Sequence, residues 1–163
     1  MKISHDYGLA DAIIIDNSSG VPHPAHIANV ENPARYVENL RRMISPKGIV
    51  AVRAPYLGDL ISHLMFDYIY HEHQSYFSIE TIRALFAQSG FCLIGLQSGK
   101  MGVGNMQYFF SLDAMGCQQD LEIAEAIAQE HTLALASAVT YIDLAGAMKN
   151  SRSNIRKELD NYQ

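Results

Sequence analysis

The residues best equipped for chemistry lie together in Asp67-Tyr68-Ile69-Tyr70-His71-Glu72-His73-Gln74-Ser75-Tyr76. Two histidines, three tyrosines and the carboxylate of Glu72 share a segment with no clear helical or strand period. A histidine beside a carboxylate is the usual source of a group titrating near neutrality, which proton transfer to or from a reacting atom requires. If the segment is extended, His71 and His73 point the same way, as two metal ligands would. The spacing that sets two histidines one helical turn apart is missing, because Ser75 stands where the second should be, and the sequence offers no third ligand. No metal is therefore expected. The structural alternative is a segment whose tyrosines pack and whose histidines bind local backbone, and residue types alone leave the two readings even.

These side chains need elements to hold them. Asp11 to Asp16 is a short β-branched run that reads as a buried strand of a parallel sheet. Pro22 and Pro24 then predict a loop. Tyr36, Val37, Leu40, Met43 and Ile44 form one helical stripe, with Asn32 as its cap and Pro33 at the first helical position. Ser45-Pro46-Lys47-Gly48 should stop that helix, and Ile49 to Val52 should be a second buried strand, closed by Pro55. Strand, helix, turn, strand is half of a doubly wound α/β sheet. A short helix is expected over Leu57 to Met65, and another after Ser78, with Ile79, Ile82, Leu85 and Phe86 inward and Gly90 at its end. Phe91 to Leu96 and Met106 to Leu112 read as further strands. Beyond Gly116, Leu121, Ala124, Ala128, His131, Leu135, Ala138, Ile142 and Ala145 step by threes and fours. They predict one long helix, or two broken near Gly146, with a solvated tail from Asn150.

The 163 residues suit one domain, and 48% apolar with 18% charged residues argues for a packed core. With net charge −5 and no basic run longer than Arg41-Arg42, nucleic acid is not an expected partner. No apolar stretch approaches a bilayer span and the start lacks a signal-peptide pattern, so no membrane partner is expected. Two cysteines make no disulfide framework, and Cys92 in an apolar run reads as a small buried hydrophobe. Together these predict a reduced, cytoplasmic protein.

Pro55-Tyr56-Leu57-Gly58-Asp59-Leu60, Phe66 to His73 and Tyr76-Phe77-Ser78 carry a longer pattern. Their order and spacing resemble the signature of class I S-adenosyl-L-methionine-dependent sugar C-methyltransferases, enzymes of nucleotide-linked keto sugars. Ala10-Asp11-Ala12-Ile13-Ile14 and Asn17 resemble the family's preceding strand, so the likeness runs from about Ala10 to Gln163. It implies an α/β fold: residues 1–115 as the later half of a Rossmann-like methyltransferase sheet, equivalent to its strands 4 to 7, and residues 116–163 as a helical extension. The implied reaction removes a proton beside the ketone of a nucleotide-linked keto-deoxy sugar, and the enolate takes the methyl group of S-adenosyl-L-methionine.

On this resemblance His73 is the base, Tyr70 donates to the enolate or relays the proton, and Glu72 orients His73 or binds the sugar. Tyr56, His71, Tyr76 and Asn105 are the implied substrate contacts and Asn17 the cofactor contact. A family histidine after the first strand aligns with either His26 or Asn29, and His26 is taken as its catalytic counterpart. The family's later histidine and arginine are replaced in Gly102-Val103-Gly104-Asn105-Met106-Gln107. The glycine-rich turn of the cofactor-binding half has no counterpart in this sequence. The implied partners are the nucleotide-linked sugar and either an amino-terminal half or a second copy. The rival expectation is a non-catalytic methyltransferase-like remnant acting as a subunit or binding module.

Overall fold

The computed structural model describes residues 8–16, 26–98, 104–113 and 121–162. In order these form β1 (Ala10–Ile15), α1 (Pro33–Met43), β2 (Ile44–Pro55), α2 (Leu57–Ser62), a 3-10 turn (Phe66–Tyr68), α3 (Ile79–Ala87), β3 (Cys92–Ser98), β4 (Asn105–Ser111), α4 (Leu121–Thr132) and α5 (Ala138–Asp160). The fold is mixed α/β around a four-stranded sheet of order β1-β2-β4-β3. β1 and β2 are parallel, as a strand–helix–strand unit requires, while β4 runs antiparallel to both β2 and β3. The last strand is thus inserted between β2 and β3.

The helix signals act as expected. Asn32 caps α1 through the Arg35 amide, with Pro33 in the first turn. Ser78 and Thr81 form a reciprocal capping box at α3. Gly90 follows α3 at φ +81°, a conformation that favours glycine. Val37, Leu40 and Ile44 join Ile79, Ile82 and Phe86 against the sheet residues Val50, Val52, Tyr108 and Phe110 in one core. Phe86 stacks on Phe110 with ring centroids 3.8 Å apart.

Several expectations are corrected. β1 is an edge strand, not a buried one, and Ile14 is 72% exposed. The predicted turn at 45–48 is absorbed into β2 as an irregularity in register, where Ala10 faces Ile44 but Ala12 faces Ile49. Gly48 permits this, since a Cβ there would lie 3.0 Å from the Ala10 carbonyl oxygen. The carboxy-terminal helices break at residues 133–137 and not near Gly146, which lies inside α5. The stripe of Leu121, Ala124, Ala128 and His131 faces outward, whereas Ile123 and Glu130 are buried. Alanines score on either face, and a carboxylate on the inner one hid the true stripe. Residues from Asn150 continue as exposed helix to Asp160. Cys92 is half-buried and disulfide-bonded, which replaces the free buried thiol expected; Cys117 lies outside the described residues.

Candidate active site

The chemistry-bearing segment is an excursion from the carboxyl end of β2. It leaves at Tyr56 and returns at Phe77, which form an isolated parallel bridge. The Leu57 amide donates to the Phe77 carbonyl at 2.9 Å and the Phe77 amide to the Pro55 carbonyl at 3.3 Å, closing the excursion at its base. Its far side is tied to the segment following β1. The Gln74 and Ser75 amides both donate to the Ala28 carbonyl, at 2.7 and 3.1 Å, and the Gln74 side chain donates to the Asn29 carbonyl. Two segments leaving the carboxyl ends of adjacent parallel strands therefore meet, which is where open α/β sheets place ligands.

Four rings gather there. The Tyr70 hydroxyl lies 3.1 Å from His73 Nε2, with ring centroids 4.4 Å apart. Tyr76 meets His73 edge-on at 5.6 Å, and its hydroxyl donates to the Tyr68 carbonyl at 2.9 Å. The His26 ring centroid is 6.4 Å from that of His73. His26 is buried and its Nε2 lies 2.8 Å from the Arg53 carbonyl, which only accepts, so Nε2 carries the proton. Nδ1 of His26 then presents a bare lone pair, buried and without a hydrogen bond. The Arg53 side chain donates to Asp16 at 3.1 Å, tying the carboxyl ends of β1 and β2 beneath the cluster.

Burial is the largest influence on both histidines and depresses their protonation below the usual imidazole range. The Arg53 carbonyl opposes it at His26, and the charge of His73 adds to it. At His73 the Tyr68 backbone and Glu72 pull toward the protonated form, although His73 Nδ1 makes no hydrogen bond of good geometry. Tyr70 is raised, first by desolvation and then by Glu72. The result is two neutral imidazoles and a protonated phenol. That set can accept a proton, and it has a donor in contact with the acceptor.

The remaining expected site residues fall at different distances. Glu72 is half-buried beside the cluster and acts on both Tyr70 and His73 electrostatically. His71 is exposed and only its ring edge approaches Tyr70, at 6.3 Å. The metal-like alignment of His71 with His73 does not form, because a turn bends the chain there and the His73 amide donates to the Tyr70 carbonyl. No group of three or more potential metal ligands occurs among the described residues. Tyr56 engages Glu130: burial raises its pKa most, followed by the charge and hydrogen bond of Glu130. Asn105 is half-buried at the start of β4, paired with Pro55. Asn17 lies outside the described residues. Of the two aligned alternatives, His26 brings its ring to the cluster, while Asn29 contributes its carbonyl.

Sequence reasoning missed Asp59 and Glu130. Asp59 accepts from the Gly104 amide at 2.9 Å, and the Gly104 carbonyl accepts from the Tyr56 amide at 2.9 Å, so α2 is fastened to the start of β4. Asp59 stands within the quoted motif and was legible there. Glu130 was not, since nothing local marks it.

No family model matches the chain. Among curated proteins it is similar to the C-methyltransferase NovU of Streptomyces niveus, 28% identical over 133 residues. Those residues are 82% of this chain and 31% of that protein, so the chain spans about a third of the relative's length. The similarity supports a methyltransferase relationship. No helix among the described residues is long and apolar enough to cross a membrane.

Proposed function

We propose that this chain carries the proton-transfer machinery of an S-adenosyl-L-methionine-dependent C-methyltransferase, and that its acceptor is a nucleotide-linked keto sugar. The observation that carries the reading is the Tyr70 hydroxyl 3.1 Å from His73 Nε2. Around it stand Tyr76 and His26, at the carboxyl end of parallel strands. The sheet order supports a Rossmann-like methyltransferase half-sheet, with β1 to β4 in the place of its strands 4 to 7 within residues 1–115. The named activity of the relative supports the chemistry.

A carbon beside a ketone loses its proton only when a base and an oxyanion donor are both at hand. Tyr70 is the outermost ring, 40% exposed, and His73 sits behind it. In the proposed step the phenol oxygen takes the carbon proton as its own proton passes to His73 Nε2. The C–H bonding pair moves into the enolate, whose oxygen Tyr76 meets by turning its hydroxyl from the Tyr68 carbonyl, and Glu72 stabilises the imidazolium that forms.

The methyl group is supplied by S-adenosyl-L-methionine when it is bound. The described residues do not fit a complete pocket for it: no glycine-rich strand-to-helix turn is present, and Asp16 at the end of β1 is engaged by Arg53. No step is therefore routed through the cofactor, whose pocket is proposed to be completed by residues beyond this chain. The experiment is methyl transfer by the full-length protein with His73→Gln. Turnover should fall by about 100-fold or more, the usual weight of one general base, with affinity for the cofactor unchanged.

A second reading, a non-catalytic subunit or binding module, draws on the exposed β1 edge, on Ile155 and Leu159 along α5, and on Tyr162 just beyond it. That nucleic acid is no partner is proposed on composition, while the Cys92 disulfide argues against the reduced, cytoplasmic setting that composition suggested.

A further inference from the structure

One buried charge has no part in this chemistry. Glu130 of α4 is 3% exposed, and its carboxylate accepts from the Ile79 amide at 2.7 Å and the Glu80 amide at 3.3 Å. The Tyr56 hydroxyl also bonds to it. All of these donors are neutral, and no lysine, arginine or histidine pairs with Glu130 among the described residues. A buried carboxylate is ordinarily matched by a cation. Here it meets only the partial positive charge at the amino terminus of α3.

The same residue borders a cavity of about 290 Å³ between α2, α3 and the turn joining α4 to α5. Apart from the hydroxyls of Tyr76 and Tyr141, its other ionisable groups are Glu80 and His131, which pair with each other at 3.1 Å. The cavity thus holds two carboxylates and one imidazole, with no lysine or arginine, and an anionic ligand would be repelled. Most of the remaining wall is hydrocarbon or aromatic, including Leu57, Leu135 and the rings of Tyr76 and Tyr141. Such walls take an apolar body, and aromatic faces attract a cation.

We propose that this cavity binds a small organic ammonium ion with a compact apolar body, its nitrogen toward Glu80 and Glu130. The site is separate from the His73 cluster; Tyr76 is the wall between them, edge-on to His73 and lining the cavity. The proposal does not depend on the methyl-transfer reading.

Titration of the purified chain with cyclohexylammonium, cyclohexanol and cyclohexanecarboxylate at neutral pH, followed by NMR, tests it. The ammonium should bind about five-fold or more tighter than the alcohol, the increment of one partly screened charge interaction. The carboxylate should show no saturable binding. Glu80→Gln, at an exposed position, should narrow the ammonium's advantage over the alcohol without erasing it, since Glu130 remains. Ala136→Trp, also exposed at the cavity rim, should abolish both. Equal affinity for ammonium and alcohol, no saturable ammonium binding, or ammonium binding unchanged by both substitutions would overturn the proposal.

Discussion

His26 and His73 each exchange water for protein on folding, and this sets a pH limit on the molecule. Both titrate below the 6.5 of a free imidazole in the native state, chiefly through burial. Between that value and the native one, the unfolded chain binds more protons, so stability rises with pH across the window. Stability should be complete above about pH 6.5 and fall as pH drops below it. Denaturant unfolding from pH 7.5 down to 5 checks this, and a His26→Gln variant should show a shallower decline. A flat profile in the parent chain would mean that neither imidazole is buried neutral. At this scale the sequence was informative about the cluster and silent about direction. Tyr70, His73 and Tyr76 could be picked out by type, whereas the Arg53 carbonyl that fixes the His26 tautomer is backbone and leaves no mark in residue identities.

Between elements, the site rests on a few fasteners. Gly104 has φ +104°, its amide and carbonyl both hold the α2 end of the excursion, and a Cβ there would lie 3.1 Å from the Tyr68 ring. Gly104→Ala should cost about 2 kcal/mol, combining left-handed strain with a clash against the residue whose carbonyl holds Tyr76. Thermal unfolding measures it, and an unchanged midpoint would contradict the reading. Ala134, in the turn between α4 and α5, has φ +49°. Relieving that strain, Ala134→Gly should stabilise the chain by about 0.5–1 kcal/mol, read as a raised denaturant midpoint. Helices α1 and α3 were legible because local signals agree in each: cap, first-turn proline and apolar stripe in α1, cap and apolar stripe in α3. α4 was misread because its inner face includes Glu130, whose role depends on α3, some fifty residues earlier. Only tertiary placement makes that carboxylate an asset.

For the molecule as a whole, the sheet ends on β1 with one side unpaired among the described residues and Ile14 exposed. Exposed apolar edges template further strand pairing. The isolated chain should self-associate in a concentration-dependent way, and Ile14→Lys should reduce this with little change in unfolding free energy. Sedimentation velocity reads both, and a monodisperse parent chain would contradict the expectation. The strand–helix–strand half was legible from its apolar runs. The insertion of β4 between β2 and β3 was not, since strand order is set by long-range pairing that local patterns do not encode.

The central claim is that the Tyr70–His73 pair removes a proton from the carbon that becomes methylated. Its most direct test is deuterium uptake at the carbon beside the ketone of a nucleotide-linked keto sugar. The full-length protein is incubated in deuterated water, and the rate is compared with those of His73→Gln and Tyr70→Phe. The account predicts enzyme-dependent uptake that both substitutions reduce by about 100-fold, with methyl transfer lost in parallel. Uptake and turnover retained in His73→Gln would contradict it.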